Sequence, residues 1–522
     1  MTTPDVRHFR AIFLWPLQLT PQGGRPPRQQ WEVMEELAAA HGWEAAPRGD
    51  ADGGRARHYS EFVTFLPYVQ RFLYGESIRP GREPEGGASP VHAYRRRDVT
   101  AARLMLERGA PPEVVQVERV ELYFFADMDI AVLVTEIHGD DMPLARAQDL
   151  LFRFGRAFPA FWNADGRGGH CLERVEWLSA DGAVLAASDF EQRERYLSAV
   201  STERVAHIAS HWQYLLTPMV THRPGAEGAL RYRQIEYYRM PWMCYLSFDD
   251  PAALSRAAFA RLAVGAAPSA ADTLPFSAKT LADFESRYCY DRYWAPGEPG
   301  VVTSTRYLCS GHAFTMVGSH RDGFFTDPDG GLLGQFRHQY FLLGLLSHFH
   351  RAALLMLSDR LVVAIGRLDA RSLESVKRFK REIRRTMETF LRFTHRYWFH
   401  EVSTQDQARE LFSMWTRHLA TEQLFSEVRE EVEDMNSYLD SDSLRRQAGT
   451  VVRLTVVTAL GLVGTLATGI LGMNVFDYTD APPVLKLFYF LLVLVPSVLV
   501  VLYAIRRSKP LADYLEMLSD KR

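Results

Sequence analysis

The sequence predicts an α+β protein. It has a large N-terminal mixed α/β region, long charged helices after it, and two membrane-crossing helices near the C-terminus. Three observations predict this. Two apolar runs, Val451 to Gly472 and Val484 to Ile505, can each cross a hydrocarbon core of ~30 Å at ~1.5 Å per residue. Strand-like runs bounded by turn residues dominate the chain up to Gly366. Between these parts lies a charged stretch with helical spacing. The expected divisions are an enlarged cytosolic domain over 1–366, a helical stalk over 367–449 and a first span over 450–474. An outer loop (475–483), a second span (484–505) and a basic cytosolic tail (506–522) complete the chain.

Composition narrows the class. A net charge of −3 over 522 residues gives no electrostatic footprint for nucleic acid. The mean hydropathy of −0.17 makes the membrane part a minority. Cys171, Cys244, Cys289 and Cys309 show neither CxxC pairing nor zinc-ligand spacing, so a reducing, cytosolic environment is expected for them. The N-terminus has no signal-peptide core, because Ala11 to Leu14 is too short. No GxGxxG, P-loop, GxSxG or zinc-hydrolase motif occurs, so no catalytic residue, no cofactor and no enzyme activity are expected.

In the N-terminal region, Phe9 to Leu19 reads as a strand. Gly75 to Val91 reads as a flexible loop. Val120 to Ile137 reads as two strands turning at Ala126 to Asp129, and Leu144 to Trp162 as a helix. Val175 to Ala187 is a hairpin turning at Asp181-Gly182, and Tyr232 to Asp249 and Thr305 to Val317 supply further strands. Tyr340 to Leu357 is apolar enough to suggest a third span. His348, His350 and Arg351 are costly in lipid, so a buried or subunit-facing helix is expected instead. The two histidines fall on different faces of that helix and do not make a metal pair. Asp327 to Gly331 lacks the later ligands of a calcium loop and reads as a turn, as do Asp127 with Asp129 and Asp140 with Asp141.

Ser372 to His395 reads as one helix, and Gln405 to about Arg446 as another that runs on into the first span. Leu411, Trp415, Leu419 and Leu424 form its apolar stripe. Glu427, Glu430, Glu431, Glu433 and Asp434 make its lower part acidic, either a solvated face or a ring of carboxylates that gathers or senses cations.

The flanks orient the spans. Arg445, Arg446 and Arg453 precede or open the first; Arg506, Arg507, Lys509, Lys521 and Arg522 follow the second. The connecting segment carries Asp477 and Asp480 and no base. Both termini are therefore expected in the cytoplasm and the loop outside. Within the first span, Val451, Thr458, Thr465 and Gly472 recur every seven residues, with Thr455, Leu462 and Gly469 interleaved. This seam is small or weakly polar and suits a helix axis or a partner. Simple packing, with threonine hydroxyls bonded back to their own helix, explains it equally. At its end stands Gly472-Met473-Asn474, an uncharged amide at a helix mouth that can hold a hydrated cation.

Over about Asp369 to Arg522 these residues resemble the CorA-type divalent-cation (magnesium) transporters of the two-transmembrane GxN superfamily. The resemblance rests on Ile470 to Asn474, the short acidic loop, a second span ending in Arg506-Arg507 and the charged helices before the first span. It implies a homopentamer around a central pore in the inner (cytoplasmic) membrane, with the bilayer and divalent cations as its other partners. It further implies that Gly472, Met473 and Asn474 form the selectivity ring, with Asn474 meeting Mg2+ through the ion's hydration shell. The implied pore lining is Thr465, Leu462, Thr458, Leu454 and Val451, with Leu462, Leu454 and Val451 as a hydrophobic constriction. Leu471 stands where many members have an aromatic residue, and Asp-Tyr-Thr-Asp replaces the frequent Met-Pro-Glu-type loop. A Zn2+ or broad divalent transporter, with or without proton coupling, and a ligand-gated sensor or effector on the same scaffold stay open as alternatives.

Overall fold

The computed structural model describes residues 5–20, 29–46, 54–75, 89–223, 225–236, 239–269, 274–296, 304–369, 372–473, 482–499 and 503. The chain divides into two units, Met1–Val432 and Glu433–Arg522.

The first unit is built on one mixed sheet. Its strands are β1 (Asp5–Thr20), β2 (Trp43–Ala45), β3 (Val91–Arg96), β4 (Ala101–Met105), β5 (Glu113–Phe125), β6 (Ile130–Pro143) and β7 (Arg174–Leu178). They continue as β8 (Val184–Ala187), β9 (Val220–Thr221), β10 (Arg231–Gln234), β11 (Trp242–Phe248), β12 (Cys289–Tyr290), β13 (Arg306–Cys309) and β14 (Ala313–Ser319). The spatial order is β12-β13-β14-β11-β1-β6-β5-β4-β7-β8. Beside that path β10 pairs with β1 and β9, and β3 joins β2 to β5.

β1 is apolar without a break from Ala11 to Leu17 because both its faces are covered there. Phe9, Ala11, Phe13, Trp15, Leu17 and Leu19 enter a core shared with helices Leu144–Arg153, Ser210–Leu216 and Arg256–Val264. Ile12 and Leu14 point the other way, toward helix Phe341–Gly366. Gly344 on that helix allows the approach: a Cβ there would lie 2.8 Å from the Met243 sulfur and 3.6 Å from Leu14.

Helix Phe341–Gly366 settles the apparent third span. The apolar stretch Leu332–Gly366 is long enough to cross a bilayer, yet 83% of its most apolar window is buried inside the protein. His348 and His350 are buried with it, and His350 Nε2 bonds the Tyr397 carbonyl at 2.6 Å. Burial pushes His348 down to about 3 and His350 to about 4, so both are neutral core groups.

Several elements differ from the sequence expectation. The helix expected to reach Trp162 ends at Arg153, because Gly155 and Pro159 interrupt it. Tyr232 to Asp249 is two strands, β10 and β11, which pair with different ends of β1. Thr305 to Val317 is a hairpin, β13–β14. It turns at Gly311, whose φ of 84° favours glycine and whose Cβ would meet the His418 backbone at 3.1 Å. Most of the expected loop Gly75 to Val91 lies outside the described residues; β3 begins at Val91. The β5–β6 and β7–β8 turns fall where expected, with Asp127 (φ 63°) and Gly182 (φ 80°) in left-handed conformations. Asp327 is a turn residue, accepting from the amides of Asp329 and Gly330.

After the core helix come Leu373–Arg396, Asp406–His418 and Thr421–Gly472. Ser372 caps the first, its hydroxyl accepting from the Ser375 amide. The rod expected from Gln405 is broken before Thr421. Ala420 takes a φ of 51°, and the Leu419 carbonyl, freed from the helix, accepts from the Arg351 guanidinium. From Thr421 the helix runs unbroken to Gly472, so the continuity into the first apolar run is as expected.

Two polar constellations hold the first unit together. Fully buried Glu136 on β6 takes Arg10 at 2.5 Å and Arg119 at 2.6 Å, which hold its carboxyl down to about 2 against burial. At the β5–β6 turn, Asp127 accepts from Arg392 at 3.1 Å and Arg396 at 3.0 Å, while Asp129 pairs with Arg360. The turn carboxylates thus tie the sheet to two helices.

Candidate functional site

The candidate site is the C-terminal half of helix Thr421–Gly472 and the segment that follows. The helical half, 447–472, lacks proline and carries only Arg453 as a charge, so nothing interrupts its backbone bonding. The helix ends at Gly472, where the Met473 amide still reaches the Gly469 carbonyl at 3.1 Å. The last turn leaves carbonyl oxygens without intrahelical donors and concentrates the negative end of the helix dipole there.

All five expected lining residues, Val451, Leu454, Thr458, Leu462 and Thr465, are exposed. Leu462 is 57% exposed, whereas its neighbour Val463, ~100° around the helix, is 7% exposed. Gly461, Gly464, Gly469 and Gly472 have no atom within 4 Å of where a Cβ would sit. Met473 is exposed. Asn474, Asp477 and Asp480 lie outside the described residues, as does the side chain of Leu471.

The threonines bond back to their own helix. Thr458 donates to Leu454 at 2.8 Å, Thr465 to Gly461 at 2.9 Å, and Thr468 to Gly464 at 2.9 Å. Each hydroxyl spends its proton on the turn below and keeps its lone pairs outward as acceptors. This is the back-bonding expected of simple helix packing.

The second apolar helix is described over Pro483–Leu499. Val484, Leu487, Phe488, Leu492, Val495 and Leu499 are all at least half exposed. Among the described residues of the second unit only Val463, Val493 and Ser497 are buried.

Farther up the long helix, Glu427, Glu430, Glu431, Glu433 and Asp434 are exposed, as a solvated face would be. Partial burial and the Glu427 charge raise the Glu431 carboxyl above its ordinary range. Among the described residues no three His, Cys, Asp or Glu side chains converge to hold a metal ion. The four cysteines are free, and burial pushes Cys171 and Cys309 up to about 12.

Residues 358–507 match a family model described as CorA-like Mg2+ transporter protein. A comparison with curated proteins gave no match. A comparison with solved structures aligned 53% of this chain with 95% of the CorA magnesium transporter from Methanocaldococcus jannaschii. The identity is 13% and the TM-score 0.20, too low to carry an argument about arrangement. The family match alone spans the end of the core helix, the three helices after it and both apolar helices. Over residues 358–507, under a third of its length, the chain is thus similar to the CorA-like Mg2+ transporter family.

Proposed function

We propose that this protein is a homopentameric membrane channel that moves divalent cations, Mg2+ foremost, down their electrochemical gradient. The observation that carries the proposal is the family match together with a helix that ends at Gly472, within Gly472-Met473-Asn474. The large exposed apolar surface of the second unit supports a bilayer around it. The charge flanks favour an inner-membrane placement with both termini in the cytoplasm.

The chemistry of the seam suits a hydrated ion. Water molecules around Mg2+ present their hydrogens outward, and the outward lone pairs of Thr458 and Thr465 can receive them. Open glycines leave room for that shell. At the mouth, helix C-terminal carbonyls and the amide oxygen of Asn474 would supply more acceptors without a full charge to trap the ion. Such oxygen-only donors fit a hard cation that keeps its waters. Leu462, Leu454 and Val451 would narrow the path below. No pump is required, because an inside-negative potential supplies ~2.3 kcal/mol per charge per 100 mV, doubled for a divalent ion.

The test is uptake by liposomes holding the full-length chain under an inside-negative potential. Mg2+ entry that Zn2+, Co2+ and Ni2+ block only weakly is the expected result. Zn2+ entry without Mg2+ entry would reassign the cargo, and no flux of any divalent ion would refute the channel.

A further inference from the structure

Helix Leu373–Arg396 meets the start of helix Thr421–Gly472, where the Phe390 and Phe425 rings are 5.6 Å apart. Phe379, Ile383, Phe390 and Phe393 bury one face of the first helix. The opposite face carries Lys377, Arg381, Arg384 and Arg385, all exposed and within an arc of ~100° that also holds exposed Glu374 and Glu388, so base exceeds acid there by two charges. Arg392 and Arg396 spend their charge on Asp127, but among the described residues none of these four meets a carboxylate. On the long helix, Val428 and Val432 are buried, and Glu427, Glu430 and Glu431 project away from them. Among the described residues Glu427 accepts from the neutral Gln423 amide, at 2.9 Å, and partial burial and then the Glu427 charge raise the Glu431 carboxyl. One chain therefore carries two outward faces of opposite net sign, a basic excess on the first helix and an acidic one on the second.

Two different patches of opposite charge on one chain make a head-to-tail contact, and such contacts close into rings when the rotation allows. We infer that the basic stripe Lys377, Arg381, Arg384 and Arg385 of one copy docks on the acidic stripe Glu427, Glu430 and Glu431 of the next copy. This rests on the oligomeric reading above and names a contact within it. It gives the acidic run a partner in the protein itself, where the competing occupant is free cation. Charge pairs at such an exposed seam are screened by salt, so the contact is strongest at low ionic strength.

The experiment mixes two differently tagged full-length chains, one carrying Arg384→Cys and the other Glu430→Cys. Each chain has one added thiol, so a disulfide between the two tags reports a contact between copies. The expected result is tag-to-tag dimers under mild oxidation, absent when either substitution is omitted. In parallel, Arg381→Glu with Arg384→Glu should lower the oligomer mass toward a single chain at low salt. Adding Glu427→Arg and Glu430→Arg should restore it. An intact oligomer with no cross-link and no response to charge reversal would overturn the contact while leaving the oligomer standing. A monomeric wild-type chain would refute the oligomer and the contact together.

Discussion

At the scale of single residues, the sharpest contrast is between Leu462, 57% exposed, and Val463, 7% exposed. In a reconstituted channel, Leu462→Cys and Thr465→Cys should react with small hydrophilic thiol reagents while Val463→Cys should not. Equal labelling at the three positions would assign the seam to packing. Glu136 tests a different kind of residue. It is fully buried among Arg10, Arg119 and Arg337, so Glu136→Ala removes the carboxylate they share and leaves Arg10 and Arg119 only the more distant Glu118, at 3.4 Å, and Glu121, at 3.6 Å. A loss of ~3–5 kcal/mol from the unfolding free energy of the first unit is expected in denaturant titration. A loss under ~1 kcal/mol, the size of an exposed pair, would show that water reaches the site.

At the scale of elements, the break at Ala420 decides how the stalk is built. Its φ of 51° costs an alanine ~1 kcal/mol that a glycine avoids. Ala420→Gly should therefore raise the denaturation midpoint or leave it unchanged, and a clear fall would show that Ala420 holds the break by packing. That break was not legible in the sequence, because Leu411, Trp415, Leu419 and Leu424 keep helical spacing straight across it. The spacing records a continuous apolar stripe, whereas the turn depends on Arg351 reaching the Leu419 carbonyl from a distant helix. The split of Tyr232 to Asp249 was hidden for the same reason, since both pieces pair with β1 and read alike. The β5–β6 and β7–β8 turns were legible because local residues, Asp127 and Gly182, determine them. The core helix was legible from His348 and His350, whose neutral burial replaces the lipid that its apolar length suggested. Of the candidate site, the helix end was legible. The back-bonding of Thr458 and Thr465 was legible too, because a threonine hydroxyl within a helix finds the carbonyl four residues back.

At the scale of the whole molecule, buried titratable groups set how the protein meets acid. His348 and His350 titrate near 6.5 when unfolded and at about 3 and about 4 in the fold, so only the unfolded chain gains their protons between those values. Stability is thus full above pH 6.5 and falls as pH drops toward 4, by up to ~1.4 kcal/mol per pH unit for each histidine. Glu136, depressed from 4.5 to about 2, adds a second loss between those values. His211, pushed by burial to about 3, and His312, to about 4, add to this slope, so chemical denaturation across pH 4 to 7 should show it and replacing His348 and His350 with glutamine should lessen it. A slope unchanged by that replacement would place the acid sensitivity elsewhere. The central claim is that the helix ending at Gly472 delivers a hydrated divalent ion to a mouth completed by Asn474. The measurement that tests it most directly is Mg2+ uptake into liposomes by wild type and Asn474→Ala, with oligomer mass recorded for both. Loss of selective uptake with unchanged mass is the predicted result, and unchanged Mg2+ flux in the variant would contradict the account.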